Sequence, residues 1–419
     1  MSRRMFIAAA RSIRLRHAMP STLPPSIFND VIGPVMRGPS NSHSAASVRF
    51  GRIARPRPIP IGRSTLVKRV SHGCLVALFA LLCRCAAAPS AAPTLPRPER
   101  LPFTYEAGQN GMYNGGVRAI LQDRSGNYWF GSHFEGVCRF DGERFQCFTT
   151  ADGLSDNQVR SIQEDARGTI WFDNGVGISS YSGGAVVAST ARRSDATHAW
   201  TLDPSDLWFK SDGVHGFNQL EPAPGVYRFD GEGFTYLTFP LPLERAADDG
   251  YSLTGICRGK GGRVWLATYE AVFGFDGRTL TMIDGDRMGL RKEEGAPHVR
   301  CVFEDSSGRL WIGNNGVGVV MVDGARTALL SELCADAADA DQSLLRVFSI
   351  GEDREGCIWI GTVGGGAWRY DGRTLRQFGE RDGLTTKDVM AIYRDRAGDL
   401  WLGGKGVFRF NGTSFDRMY

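Results

Sequence analysis

The chain has 419 residues, with 49 Lys and Arg against 45 Asp and Glu and a formal net charge of +4. Its 42% hydrophobic content excludes an intrinsically disordered chain, which lacks the apolar surface that offsets the entropy of ordering. The 53 glycines do not recur at every third position, and nine cysteines are too few for a disulfide-built scaffold, so collagen-like and disulfide-rich classes are also excluded.

The charge is divided unevenly along the chain. Residues 1–100 contain 16 Lys and Arg but only two acidic residues, a charge of +14, which leaves residues 101–419 at −10. Proteins that bind phosphate backbones or anionic lipid carry clustered positive charge on the folded domain. The sequence therefore predicts an acidic folded domain and argues against nucleic acid or anionic lipid as a partner.

The first hundred residues indicate an export signal rather than a folded domain. Residues 1–66 are rich in Arg, Pro, Ser and Ala without apolar periodicity, so we interpret them as a disordered leader or as sequence upstream of a true start near Val67. Residues 67–88 have the basic, apolar and small-residue regions of a signal peptide. The ten-residue apolar run, Cys74–Cys83, is too short to span a membrane, which needs about 20 residues.

A Pro- and Ala-rich spacer at 89–100 follows the signal peptide. Lipid attachment at Cys83 or Cys85 is disfavoured, because Leu82 and Arg84 precede them where small residues are required. We expect a periplasmic or secreted bacterial protein with no integral membrane segment once the signal is removed.

Residues 101–419 are built from an internal repeat marked by tryptophan. The intervals between successive repeat tryptophans are 42, 37, 57, 46, 48 and 42 residues. An apolar residue usually lies nine positions before each Trp, Asp six before, Gly three before, and Gly often two after. The seven repeat tryptophans are Trp129, Trp171, Trp208, Trp265, Trp311, Trp359 and Trp401.

Each unit divides into four short predicted strands joined by tight turns. In the second unit, 159–165 is a first strand, the Asp-x-x-Gly turn follows, and 169–172 is a second strand. A unit of this kind exposes two apolar faces, and a closed ring of units covers all of them. The 319 residues of 101–419 give about 46 per unit, so the sequence predicts an all-β, seven-bladed propeller of four-stranded antiparallel blades.

The repeat V-x-x-I-x-x-D-x-x-G-x-x-W-[FIL]-G resembles the two-component regulator propeller repeat, found in periplasmic sensor regions of bacterial hybrid histidine kinases. The resemblance is strong in units one, two, five, six and seven, and weak in unit three and in unit four, where Gly259 stands in place of Asp. It implies a propeller with a sensing or interaction role. Such sensors continue into a membrane helix and a kinase, whereas this sequence stops at Tyr419, so we expect no signalling output on the same chain.

Residues 98–105 are similar to the predicted fourth strand of unit one, 142–149. They are either an extra outer strand that pairs with unit seven and closes the ring, or an irregular lead-in.

The sequence offers little support for catalytic or metal chemistry. The histidines of 101–419 are scattered along the repeats, and Cys-x-x-Cys, His-x-x-x-His, phosphate-binding glycine loops and Gly-x-Ser-x-Gly elbows are missing from the sequence. We therefore expect no metal, no cofactor and no catalysis of its own. Those histidines are His133, His198, His215 and His298.

Two cysteines are candidates for a disulfide. If 141–144 forms a four-residue loop, Phe140 faces Phe145 and Cys138 faces Cys147 across adjacent strands. Export would permit a disulfide between them, but the sequence favours two free, buried cysteines, because the geometry across strands is demanding.

The predicted ligand contacts lie in loops at one face of the ring, where propellers usually bind. These loops differ between units while the repeat frame persists, which is typical of function carried by loops on a rigid scaffold. For any single residue, an ordinary solvated loop position is the competing interpretation. The candidates are His133, Phe134, Glu135, Asn174, Tyr269, Glu270, Asn314, Asn315 and Lys405.

We therefore predict an exported propeller that senses or binds a small molecule, a glycan or a protein, with a membrane sensor kinase among the potential partners. Two alternatives stay open at this point: a propeller enzyme of the lyase or glycan-active type, and the sensor part of a split histidine kinase system. Convergent acids with a histidine at one channel mouth would favour the enzyme.

Overall fold

The computed structural model describes residues 116–189, 201–210, 224–242, 245, 249–291, 296–338 and 342–418. The predictions for the leader at 1–66, the signal peptide at 67–88, the spacer at 89–100 and the strand at 98–105 lie outside these residues and stay predictions. His198 and His215 also lie outside them.

Seven antiparallel sheets follow one another along the chain, and in each the strands pair in sequence order. Blades 1 to 3 contain β1 Val117–Gln122, β2 Tyr128–Ser132, β3 Val137–Phe140, β4 Phe145–Phe148, β5 Val159–Glu164, β6 Ile170–Asn174, β7 Ile178–Ser182, β8 Ala185–Ser189, β9 Leu207–Lys210, β10 Gly225–Phe229 and β11 Phe234–Thr238. Blades 4 to 7 contain β12 Leu253–Arg258, β13 Val264–Thr268, β14 Val272–Phe275, β15 Leu280–Ile283, β16 Val299–Glu304, β17 Leu310–Asn314, β18 Gly318–Asp323, β19 Arg326–Leu329, β20 Val347–Glu352, β21 Ile358–Thr362, β22 Ala367–Tyr370, β23 Leu375–Phe378, β24 Ala391–Arg394, β25 Leu400–Gly404, β26 Gly406–Phe410 and β27 Phe415–Arg417.

The fold is the predicted all-β, seven-bladed propeller with four-stranded antiparallel blades; blade 3 has three strands among the described residues. The helical segments are short: α1 Leu330–Leu333, α2 Ala335–Ala338, and 3₁₀ turns at Thr150–Asp152, Asp249–Tyr251, Lys260–Gly262, Gln342–Leu345 and Glu380–Asp382. None of the helices within the described residues has the length and apolar character needed to cross a bilayer.

The repeated Asp forms a turn that also holds the repeated Trp. In blade 2, Asp165 Oδ1 accepts hydrogen bonds from the backbone N–H groups of Arg167 and Thr169, and Gly168 has a φ of 86°. Asp165 Oδ2 accepts a hydrogen bond of 2.9 Å from the indole Nε1 of Trp171, six residues later. The same three bonds recur at the turn aspartates of blades 1, 5, 6 and 7, which are Asp123, Asp305, Asp353 and Asp395. The Asp and the Trp of the frame are therefore structural, as predicted.

The glycine two positions after the Trp allows neighbouring blades to approach closely. A Cβ on Gly131 would lie 2.6 Å from Cγ1 of Val159, the first residue of the next blade. The same holds for Gly313 against Val347 of the next blade, also at 2.6 Å. Interblade packing therefore selects glycine at this position, and the repeat tryptophans fill the space further out; Trp129 lies 4.9 Å from the ring of Tyr181 in blade 2.

Blade 4 replaces the missing turn aspartate with a residue from the next blade. Gly259 stands at the position where the repeat frame has Asp, six residues before Trp265. The space that it leaves is filled by Glu304 of β16, which accepts the hydrogen bond from Trp265 Nε1. A Cβ on Gly259 would lie 2.3 Å from Glu304 Oε2, so the glycine and the substituted carboxylate depend on each other.

Side chains of blades 1 and 7 close the ring. Tyr128 of blade 1 donates a hydrogen bond of 2.8 Å from its hydroxyl to Asp395 Oδ2 of blade 7. The backbone N–H of Gln122 donates to the hydroxyl of Tyr393 at 2.9 Å, and the Tyr128 ring packs 4.6 Å from the ring of Trp401. All four strands of blade 7 come from residues 391–417, so the described contacts across this seam are made by side chains and packing.

Candidate functional site

In blades 1, 2, 4, 5, 6 and 7 the first strand lies innermost, and where two such blades are adjacent their first strands contact each other. In blade 3 the described strand that contacts the first strands of blades 2 and 4 is β9, which carries Trp208. In five blades this strand carries a β-bulge one residue after its start. A bulge leaves its extra residue outside the ladder and redirects the side chain. The bulged residues are Arg118, Arg160, Thr254, Arg300 and Phe348, and all five line one central cavity.

The central cavity has a volume of about 340 Å³, the small end of the range for ligand pockets. Its described lining residues come from the innermost strands, with Met390 before β24 and Lys210 at the end of β9. Four of these residues are basic: Arg118, Arg160, Lys210 and Arg300. No Asp, Glu or His is among the described residues that line it. The net negative domain therefore encloses a positively charged channel.

Three blades lack the repeat glycine, and two of them carry a charged residue in its place. At the position two residues after the Trp, blade 2 has Asp173 and blade 3 has Lys210. Asp173 is buried and its Oδ2 accepts a hydrogen bond of 3.0 Å from the backbone N–H of Lys210. Lys210 Nζ donates to the carbonyl oxygen of Thr254 at 2.6 Å, which places the ammonium at the cavity wall. Because packing between blades favours glycine at this position, the repeat scaffold does not explain the side chains of Asp173 and Lys210.

Arg118 and Arg300 are held in position by neighbours at the same end of the ring. Arg118 Nη1 donates to Nδ1 of His133 at 2.9 Å, which leaves the neutral imidazole proton on Nε2. Arg300 Nη1 donates to the Tyr269 hydroxyl at 3.3 Å. The Arg300 guanidinium also lies 4.5 Å from the ring centre of Phe348 and 5.4 Å from that of Tyr269. Within the described residues, neither arginine forms an ion pair with a carboxylate.

The electrostatics of the cavity agree with an excess of positive charge. Burial, reinforced by Arg160 and Arg300, lowers the pKa of Arg118 to about 10. Burial also lowers the pKa of Lys210 to about 7; Asp173 opposes this shift and the three arginines add to it. Burial lowers the pKa of His133, and the charge of Arg118 adds to this shift. Burial also lowers the pKa of His298, and the charge of Arg300 adds to that shift.

Two hydroxyl groups in the cavity wall have no hydrogen-bond partner within the described part of the chain. They are Ser161 Oγ and Thr254 Oγ1, and both atoms are buried. Buried polar atoms are normally satisfied, so orphans in a polar cavity indicate positions for water or ligand atoms.

The predicted loop candidates separate into residues near the basic cluster and residues that stabilise the scaffold. His133 and Tyr269 contact the cavity arginines directly. Phe134, next to His133, is 61% exposed, and its ring centre lies 4.1 Å from that of His133. Glu135 Oε2 accepts a hydrogen bond from Ser132 Oγ, and Glu270 pairs with Arg245.

The asparagine candidates mainly support the loops. Asn174 is buried and donates from Nδ2 to the carbonyl oxygens of Asp156 and Gln158. Asn314 is fully buried and accepts a hydrogen bond of 2.6 Å from the His298 backbone N–H. We therefore assign both a structural role.

Asn315 and Lys405 lie apart from the central cavity. Asn315 borders a second, more open cavity of about 600 Å³ between blades 5 and 6, where its Oδ1 has no partner among the described residues. Lys405 is exposed, and its backbone N–H donates to Thr386 Oγ1 at 3.1 Å. Their roles in ligand contact stay predictions.

Cys138 and Cys147 face each other in the register that the sequence predicted, with Phe140 opposite Phe145. Their Cα atoms are 4.0 Å apart and the sulfur atoms are bonded. Formation of this disulfide in solution stays a prediction, as does export of the protein.

One group of metal-type ligands occurs in the described residues, at the turn between β20 and β21, where Asp353, Glu355 and Cys357 lie close together. Asp353 already accepts hydrogen bonds from Trp359 Nε1 and Arg369 Nε. Its oxygens are committed to the repeat turn, so the group is explained by the scaffold.

The basic cavity residues are the main feature that sequence analysis missed. The signal was present, because the residue after the first valine of a unit reads Arg118, Arg160 and Arg300 in three units. A second signal was the replacement of the repeat glycine by Asp173 and Lys210. Both signals lie at positions inside the repeat frame that vary between units. The predicted sites were loop residues, so they included only the neighbours of the basic residues.

The folded part is similar to solved propeller structures of different kinds. The extracellular domain of a hybrid two-component system from B. thetaiotaomicron is similar to this chain over 74% of the chain's length. The sequence identity is 17% and the TM-score is 0.51. The match spans 39% of that structure, so this chain corresponds to less than half of it. Virginiamycin B lyase from Staphylococcus aureus matches over 70% of the chain and 94% of its own length, at 12% identity and a TM-score of 0.50. At such identities the likeness shows the fold alone.

No curated protein matches the sequence. The pattern of the Two component regulator propeller family matches five segments, 114–134, 153–174, 294–316, 342–364 and 383–406. These segments fall in the five units where the resemblance was strong and leave out the two where it was weak. Blades 1, 2, 5, 6 and 7 therefore each contain a segment similar to the repeat of this family.

Proposed function

We propose that this propeller is a sensing module outside the cytoplasm that binds a small ligand in the central cavity and has no catalysis of its own. The observation that carries the proposal is the contrast within each repeat. The turn Asp, the Trp and the blade-contact glycine recur for structural reasons, whereas the bulged residue that faces the cavity changes from Arg to Thr to Phe between blades. Variation at a cavity wall between otherwise similar units is typical of a binding site on a repeated scaffold.

The family pattern and the extracellular two-component domain support a sensing role and a location outside the cytoplasm. The partner would be a membrane sensor kinase or another receptor that responds to the occupied propeller. The lyase match favours the enzyme alternative only through the fold. The described cavity wall lacks the acids and histidine that the enzyme alternative requires, which favours binding over turnover.

A plugging variant tests the proposal without changing the charge of the site. Thr254 lines the cavity on β12, so Thr254→Trp should fill it. Thr281 is exposed on β15, the outermost strand of the same blade, and Thr281→Trp is the matched control. We would measure thermal stabilisation of the full chain by a defined panel of inorganic phosphate, benzoate, glucose and glucuronate, with each probe analysed afterwards by mass spectrometry.

We expect at least one probe to stabilise the wild type and the Thr281→Trp control but not Thr254→Trp, and to be recovered unchanged. Stabilisation that survives in Thr254→Trp would place binding elsewhere and overturn the proposal. A probe recovered in altered form would support the enzyme alternative, and no stabilisation by any probe would also count against the proposal.

A further inference from the structure

We propose that the central cavity binds a small organic oxyanion, a carboxylate or phosphate group joined to an apolar body. The charged group contacts Arg118, Arg300 and Lys210, and the apolar body lies against Phe348 and Met390. This inference rests on the proposed function, because it gives the chemical class of the ligand that the cavity takes.

The charge of the cavity wall is the first argument. Arg118, Arg160, Lys210 and Arg300 line one volume of about 340 Å³, equivalent to about ten water molecules. Asp173 is the carboxylate that acts on this cluster among the described residues. Like charges gathered in one partly desolvated cavity oppose folding, so an anion that compensates them would bind favourably.

The fixed orientation of the arginines is the second argument. The His133 imidazole accepts from Arg118 Nη1 through Nδ1, and the Tyr269 hydroxyl oxygen accepts from Arg300 Nη1. These partners are neutral, so they position each guanidinium without cancelling its charge. An arginine held in this way keeps other N–H groups for a carboxylate or phosphate, which it can bind through two parallel hydrogen bonds.

Two further features define the ligand beyond its charge. Ser161 and Thr254 line the cavity, and their hydroxyl groups, which are buried without a partner among the described residues, can donate to an oxyanion once the side chains rotate toward it. On the blade 6 and blade 7 side, Phe348 and Met390 occupy the positions that arginine takes in blades 1, 2 and 5. One wall is thus basic and the other apolar, which fits an organic acid better than an inorganic ion.

Lys210 adds a proton-coupled signature. Its neighbours are Asp173 of β6, Arg118 of β1, Arg160 of β5, Arg300 of β16 and the Thr254 carbonyl. With a pKa of about 7 in the empty cavity, the amine is partly neutral at neutral pH. A bound anion favours the charged form and raises that pKa, so binding takes up a proton. Affinity should be greatest below pH 7 and fall by up to about tenfold per unit above it.

Isothermal titration of the full chain with benzoate, inorganic phosphate and benzyl alcohol tests the inference. Benzoate supplies charge and apolar body, phosphate only charge, and benzyl alcohol only the body. We expect benzoate to bind more tightly than either of the others. Arg118→Met and Arg300→Met should weaken benzoate and phosphate by about tenfold or more. Phe348→Ala should weaken benzoate more than phosphate, because the ring contacts the apolar body and also lies 4.5 Å from the Arg300 guanidinium.

Arg409→Met is the matched control, because Arg409 lies on β26, pairs with Asp399 of the turn before β25 and does not line the cavity. It should leave all three affinities unchanged. Lys210→Met should remove the pH dependence between pH 7 and 8.5, where His133 and His298, with their lowered pKa values, stay neutral.

The inference is overturned if benzyl alcohol binds as tightly as benzoate, if the arginine variants bind benzoate like the wild type, or if neither anion binds at millimolar concentration. The proposed function has a separate criterion. A neutral probe that loses its binding in Thr254→Trp, but keeps it in both arginine variants, would leave the binding module intact and refute only the anionic ligand.

Discussion

Asp395→Ala should be more damaging than Asp165→Ala at the equivalent repeat turn, because Asp395 also holds the ring seam. Its carboxylate accepts from the backbone N–H groups of Ala397 and Asp399 at 2.9 Å, and from Trp401 Nε1 at 2.8 Å. It accepts a fourth hydrogen bond from the hydroxyl of Tyr128, in blade 1, at 2.8 Å. Alanine would leave the buried indole and phenol donors without partners.

The matched control is Asp165→Ala in blade 2. Asp165 makes the same two backbone bonds and the same Trp bond, but no described bond to a neighbouring blade's tyrosine. A buried donor left unsatisfied costs about 1–3 kcal/mol. We therefore expect Asp165→Ala to lose about 2–4 kcal/mol of unfolding free energy, and Asp395→Ala about 1–3 kcal/mol more.

Equilibrium unfolding in guanidinium chloride, followed by tryptophan fluorescence and far-UV circular dichroism, measures the difference. Tyr128→Phe, alone and combined with Asp395→Ala, completes a double-mutant cycle and isolates the seam bond. Equal destabilisation by Asp395→Ala and Asp165→Ala, together with a coupling energy near zero, would refute the claim that this pair closes the ring.

Three further predictions concern stability. Reduction of the Cys138–Cys147 disulfide should lower the free energy of unfolding by about 2–3 kcal/mol, as expected for a short closed loop, and a non-reducing peptide map without the linked peptide would contradict the bond. Burial alone would raise the pKa of the turn carboxylates in blades 2, 5 and 6, but hydrogen bonds from the indole and backbone outweigh it and lower the pKa. Their contribution is complete above the unfolded pKa of 3.8 and is lost as pH falls through the lower folded value, so urea midpoints should be constant from pH 5 to 7 and drop below about pH 4. Arg118→Met should raise the melting temperature of the ligand-free protein, since the charge is buried among other cations; a clear decrease would assign Arg118 a structural role.

The fold could be predicted from the sequence because its determinants are local and repeated. The Asp-x-x-Gly turn and the Trp six residues after the Asp form one hydrogen-bonded unit, so a short pattern reports a complete structural element. The identity of the bond between Asp Oδ2 and the indole needed the structure, as did the role of Glu304 in blade 4. In that blade the carboxylate comes from the next unit, 39 residues beyond Trp265.

The binding site was only partly accessible from the sequence because it is assembled by bulges. A strand pattern assigns alternate residues to opposite faces, and it cannot show that the extra residue at Arg118 or Arg300 turns toward the channel. The loop residues His133 and Tyr269 were found because loops commonly carry function, and they lie beside those arginines. Asn174 and Asn314 share the same loop position, but burial and hydrogen bonds to the backbone give them a structural role.

The average charge also concealed the site. A net charge of −10 over residues 101–419 argues against polyanionic partners such as nucleic acid at the outer surface. It carries no information about four basic residues that meet inside one channel from separate blades, because only the closed ring brings them together.

A crystal structure of the full chain grown with selenate tests the central claim most directly. Selenium scatters anomalously, so the position of this oxyanion is measured without assumption about its site. The account predicts an anomalous peak in the central cavity, within hydrogen-bond distance of Arg118, Arg300 or Lys210. An empty cavity at saturating selenate, or a peak confined to other surfaces, would contradict the assignment of an anion site to the channel.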